Sequence, residues 1–315
     1  MPAACKKTRT VFQLPNVGSW FENIAVRLTG LLLVTRLDVP QLWQIDPTTG
    51  TGAALITFPP PITSLSGVVE LTPNVFAIGA GQQNANGTIP GSWGVWTVDL
   101  TPAQPRPPRL LVQVREAALV NGLAVLGDDG ATLLASDSQS GVLYSIDART
   151  GRYAAAARDP TMASPPGAPL AIGINGLKTR AGSLYFSNTF GGALYRVPVA
   201  GRGANVRLAG AVQKLASGAF APDDIALDDR GAVYITAHTT NQILRSPPGP
   251  RSNDTEVVAG CPGCLDLPGP TGCAFGRTPR DARTLYVVTE GAQFVPVNGT
   301  ITEPAKVVAV NLACN

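Results

Sequence analysis

The 315-residue chain has only 14% charged residues and a net charge of +3, against roughly 25% charged in an average soluble domain. It holds no run of 18 apolar residues, so no membrane-spanning helix is expected. Its one basic run, CKKTR from Cys5, reads as a solvated terminus and not as a nucleic-acid footprint.

With 34 glycines and 28 prolines, the chain suits turns and strands better than helices. TRTVFQLP, from Thr8 to Pro15, reads as a lone strand. Six similar units follow, each opening with a short polar anchor ahead of an apolar strand. FENIAVRLTGLLLVTRL from Phe21 anchors on Glu22, and its third strand is QLWQIDP. LSGVVELTPNVFAIGAG from Leu65 anchors on Ser66 and is followed by GVWTVDL. QPRPPRLLVQVREAALV comes next; it is the nearest approach to a helix, but its prolines favour an outer strand or loop. VNGLAVLGDDGATLLASDS anchors on Asn121 and leads to GVLYSIDA, and INGLKTRAGSLYFSNTF anchors on Asn175 and leads to GALYRVPV. PDDIALDDRGAVYITAH anchors on Asp223, with NQILRSP after it. PTGCAFGRTPRDARTLYVVTEG anchors on Thr271, with KVVAVNL after it.

A period of about 50 residues with several short strands per unit is the signature of a β-propeller. The expected fold is all-β: one six-bladed domain over residues 1–315, with the ring closed by the N-terminal strand pairing with the last strand of blade six. Antiparallel closure would set Cys5 beside Cys314 and predicts a disulfide latch if the compartment is oxidising. CPGC at 261–264 reads as a local disulfide or as loop thiols, because zinc needs more ligands than nearby Cys273 supplies and the single histidine, His238, lies in another unit. Sequons at Asn86, Asn253 and Asn298, with the latch, point towards the secretory pathway, although no signal peptide is visible.

In a propeller the first strands line the central channel, so the six anchors converge on one axis. Glu22, Ser66, Asn121, Asn175, Asp223 and Thr271 form an all-oxygen set that suits a hard cation such as calcium. As plain strand caps holding channel water they would leave two buried carboxylates uncompensated. The loops after the second strands should reach the same mouth. They bring Arg36, Gln82, Asn188 and His238 as candidate catalytic groups, and Ser138, Thr239 and Glu290 as candidate substrate contacts. Trp20 and Phe21 are expected to form an apolar wall. The chain has no GxSxG and no phosphate-binding loop.

The ordered motifs FENIAV, VNGLAV, INGLKT, PDDIALDDRGAVYIT and TGCAFG resemble the family of gluconolactonase, senescence marker protein and diisopropyl fluorophosphatase. That resemblance implies a divalent metal held by Glu22, Asn121, Asn175 and Asp223. Asp224 departs from the family's glycine. The opening WFENIAVR and the segments PDDIALD and GPTGCAFGRT also resemble fungal propellers of secondary-metabolite pathways, among them hetero-Diels–Alderases that make tropolone–sesquiterpenoids.

The narrower resemblance implies a pocket that helps dehydrate a hydroxymethyl tropolone to a quinone methide and holds it against an alkene such as humulene. No cofactor is required for that reaction. The broader resemblance implies a calcium-dependent lactonase or esterase as the alternative, and a non-catalytic binding propeller is the third reading. The pericyclase reading is preferred on the fungal resemblance. The expected partner is an apolar polyketide or terpenoid, or a lactone, bound by a monomer or weak dimer, with neither nucleic acid nor membrane as a partner.

Overall fold

A computed structural model describes residues 7–103, 105–249 and 255–314. In it each sequence unit folds as an antiparallel sheet of four strands; blade four adds a short fifth, Arg207–Leu208. The inner strands are Phe21–Val26, Ser64–Thr72, Val120–Leu126, Ile174–Arg180, Pro222–Leu227 and Pro270–Phe275. The proline-rich stretch before blade three supplies the outer strand Arg109–Gln113 of blade two, not a helix.

The predicted closure is present. Thr8–Gln13 pairs antiparallel with Lys306–Asn311, with Thr8 opposite Val310 and Gln13 opposite Lys306. The expected Cys5–Cys314 latch falls on Cys5, which lies outside the described residues. Cys261 and Cys264 are disulfide-bonded, with Cα atoms 5.4 Å apart, and Cys273 is a buried free thiol.

Period-2 alternation explains how the blades pack. Along Ser183–Asn188, Leu184 and Phe186 pack towards blade three, and Tyr185 packs towards blade five. Every blade does the same, so six apolar clusters form, one at each junction between neighbours. The core is a ring around the axis, and the axis itself is left to polar groups.

All six anchors sit where the register between first and second strand slips, a bulge that re-aims side chains. A hydroxyl crosses each junction there to a backbone carbonyl of the next blade. Thr35 donates to Ser66 O at 2.6 Å, Ser136 to Asn175 O at 2.7 Å, Ser187 to Asp223 O at 2.5 Å and Thr236 to Thr271 O at 3.4 Å. Each of these four also accepts the N–H of the residue after its own blade's anchor: Asn23, Gly122, Gly176 and Asp224.

Blades two and six have Gly79 and Val288 at that second-strand place. There the anchors themselves donate across the junction, to the carbonyl just before the next anchor: Ser66 to Val120 O and Thr271 to Phe21 O, both at 2.7 Å. This corrects the six-membered axial ring expected from the repeat. Ser66 and Thr271 spend their side chains on blade junctions, and four anchors remain for the axis.

Candidate active site

The four remaining anchors, Glu22, Asn121, Asn175 and Asp223, line one cavity of about 260 Å³ where the inner strands begin. The Trp20 indole N–H donates to Glu22 Oε2 at 2.7 Å. Asn175 Nδ2 donates to Asp223 Oδ1 at 2.6 Å and to Thr189 Oγ1 at 3.0 Å. Burial pushes the Glu22 carboxyl up to about 7; the charges of Asp224 and Glu290 add to this, and the Trp20 hydrogen bond opposes it. Asp223 is raised well above the usual carboxylate range, first by burial and then by the charge of Glu22. Two neighbouring carboxyls that resist joint ionisation want a shared proton or a cation.

Asp224 does not crowd this site. Its side chain belongs to a second axial layer, where it accepts from Asn23 Nδ2 at 3.2 Å and pairs with Lys178 Nζ at 3.1 Å. Gly176 makes the room, since a Cβ there would stand 2.5 Å from Asp224 Oδ1. The layer links blades one, four and five, and its cation, Lys178, is paired with Asp224.

The structure brings some of the expected mouth residues together and places others elsewhere. Trp20 and His238 line the cavity with the four anchors. Glu290 is fully buried behind His238, its Oε1 3.4 Å from His238 Nε2, and it accepts the Gln293 N–H at 2.6 Å.

Phe21 faces the junction of blades six and one, because the residue before the bulge alternates away from the axis. Asn188 uses its amide on a loop: Nδ2 donates to Thr161 O and Ala163 O at 2.8 Å each, and Oδ1 accepts Gly191 N–H. The Arg36 guanidinium is paired with Asp38 and lies 5.8 Å from the centre of the Trp43 ring. Gln82, Ser138 and Thr239 also lie outside the lining. In place of Gln82, its neighbour Gln83 reaches the cavity from a hairpin, Gln83–Asn84 with Gly87–Thr88.

The sequence reading missed the apolar half of the lining: Leu37, Leu119, Leu170, Ile172, Phe190 and Phe294. All six lie in connections between strands, where no strand period marks them. The available signal was length: the connections carrying Leu170 and Phe294 are long, and they hold large apolar residues among proline and glycine.

The donor set fits a hard divalent cation. Two carboxylates and two amides share one cavity, and burial disfavours the carboxylates as free anions. Among the described residues no group of three or more His, Cys, Asp or Glu side chains could hold a metal, so the mixed set is the candidate.

Fold and site together define a six-bladed propeller with an oxygen-bearing axial floor under an apolar mouth. No family model matches the chain. It is 28% identical over 314 residues to a Phoma sp. protein named "Putative hetero-Diels-Alderase", a match that covers 89% of this chain and 85% of that one. It is 26% identical to "Putative hetero-Diels-Alderase asR5" of Sarocladium schorii, over 89% of this chain and 77% of that one. Both relatives carry the names of enzymes of the type that the narrower sequence resemblance implied.

Two solved structures share the fold at low identity. A luciferin-regenerating enzyme aligns with TM-score 0.66 and 14% identity, covering 95% of this chain and 94% of that one. The calcium-binding protein regucalcin of Agrobacterium tumefaciens aligns with TM-score 0.63 and 13% identity, covering 96% and 93%.

Proposed function

We propose that the protein is a biosynthetic enzyme of the hetero-Diels–Alderase type, acting on small, largely apolar molecules. The observation that carries this is an axial cavity lined mainly by hydrocarbon, with Glu22, Asn121, Asn175 and Asp223 gathered on its floor, in a chain similar to two proteins bearing that name. In the reaction an oxygen-terminated heterodiene adds to an alkene. One C–O and one C–C bond form, three π bonds become one, and no atom is lost.

A quinone methide from a hydroxymethyl tropolone is the heterodiene the resemblance implies. It arises when the hydroxymethyl C–O bond breaks and water leaves, taking up the proton of the ring hydroxyl. The apolar mouth supplies proximity and excludes water, and floor groups donate to the oxygen that gains charge. Glu22, partly protonated at neutral pH, and the Asn121 amide are the donors in place, the Asn175 amide holds Asp223 and Thr189, and His238 is within reach at the rim.

Incubating the protein with a hydroxymethyl tropolone and humulene tests the reading. A single stereoisomer formed faster than in buffer is expected, and a product ratio equal to the uncatalysed one would defeat it.

The convergence of Glu22, Asn121, Asn175 and Asp223 favours a second reading, a metal-dependent lactonase or esterase. A bound calcium would polarise a carbonyl there. Hydrolysis of lactones that is lost in EDTA and restored by calcium is its signature.

We place the protein in the secretory pathway as a monomer or weak dimer. A disulfide joins Cys261 to Cys264, and the sequon residues Asn86 and Asn298 are exposed, while Asn253 lies outside the described residues. No helix among the described residues is long and apolar enough to cross a membrane.

A further inference from the structure

The mouth of the cavity has two chemically different sides. Connections of blades four, six, five and one contribute, in that order of contact, a chain of aromatic rings. Phe190 and Phe294 have centroids 6.3 Å apart, Phe294 and His238 5.6 Å, and His238 and Trp20 6.3 Å. The other way round, through blades two and three, the apolar lining is aliphatic and is set among Gln83, Thr88 and Gln139. Leu119 belongs to the apolar cluster between those blades, with Leu37 and Ile172 packed on it. The two sides meet at Ile172, whose carbonyl accepts the Phe190 N–H at 3.3 Å.

Packing does not account for the aromatic arc. None of its four rings belongs to an inter-blade core, and all four come from connections between strands. Phe294 is 37% exposed. Trp20 is nonetheless fixed by its bond to Glu22, and His238 is buried with its Nε2 3.4 Å from Glu290 Oε1. Rings that line a cavity and that no core requires form a surface for a flat π-system.

Resting on the cycloaddition reading above, we propose that the two arcs are separate subsites. The planar conjugated heterodiene lies on the aromatic arc, and the flexible, unconjugated alkene lies against the aliphatic arc. The axial floor between them receives the heterodiene's oxygen. Each reactant then meets the surface it matches, which fixes the face that each offers to the other.

The test uses Phe294→Leu, which keeps an apolar group but removes the ring, and Leu170→Ser at an exposed position beside Ile172. Both sites are open enough for the fold to survive. Equilibrium binding of tropolone, a stable planar probe, should weaken about tenfold in Phe294→Leu, the scale of one lost aromatic pair. It should stay unchanged in Leu170→Ser, while the KM for humulene rises only in Leu170→Ser. Unchanged tropolone binding in Phe294→Leu overturns the proposal, as does an equal loss in both variants. If tropolone binding follows the ring but wild-type protein forms no cycloadduct, the planar subsite stands and the cycloaddition reading fails.

Discussion

Blades one, three, four and five differ from blades two and six by the position of one hydroxyl. In the first group the hydroxyl sits on the second strand, holds the bulge and reaches the next blade, so the anchor is free for the axis. In the second group the anchor itself makes the junction bond. The six positions are equivalent in backbone and unequal in duty. A polar residue at a repeated place in a propeller is therefore not yet a functional residue; the second-strand partner decides.

The sharpest break in that comparison is Asn121→Ala against Ser66→Ala. Loss of one preorganised axial donor should lower kcat/KM by about 100-fold, or about 3 kcal/mol. Ser66→Ala should leave it within about twofold, and steady-state kinetics on both variants decides.

Next in size is a dependence on pH. The folded pKa of Glu22, about 7, lies above its ordinary value of 4.5. Its contribution to stability is complete below the lower value and is lost as pH rises through the upper one. In EDTA the melting temperature should fall between about pH 5 and about pH 8. Glu22→Gln should flatten the fall, and calcium should offset it at the alkaline end. A melting temperature that rises over that range would contradict the buried-pair description.

Smaller effects separate the two kinds of hydroxyl. Ser187→Ala strands both the Gly176 N–H and the Asp223 carbonyl and should cost about 2–3 kcal/mol in urea unfolding. Ser66→Ala removes a single bond and should cost about 1 kcal/mol. Equal costs would mean that the second-strand hydroxyls hold nothing beyond the junction.

Much of this was legible in the sequence. The repeat gave the six sheets and their closing strand, because period-2 strands and polar anchors recur at a fixed distance. It also gave Glu22, Asn121, Asn175 and Asp223, since residues at one repeat position must meet at the axis. It overcounted by Ser66 and Thr271, although the correction was written nearby: VTR, ASD, FSN and ITA carry a hydroxyl at their middle residue, whereas IGA and VVT do not.

The mouth was read poorly. Which way Asn188 turns depends on a loop carbonyl 27 residues away in sequence, Thr161 O. The lining by Phe190 and Phe294 depends on how two connections lean over the ring. Nothing periodic encodes either.

Gly79 carries a further meaning. A Cβ there would stand 2.2 Å from Ser66 Oγ, so the hydroxyl can come from one strand of the hairpin or the other, not from both. The two positions are alternative sources of a junction hydroxyl, aimed at neighbouring carbonyls. Moving the hydroxyl from position 66 to position 79 would release the anchor of blade two for another side chain. The number of chemical groups on the axis is thus set by paired exchanges inside single hairpins, and an ancestor could add or retire an axial group without rebuilding a blade.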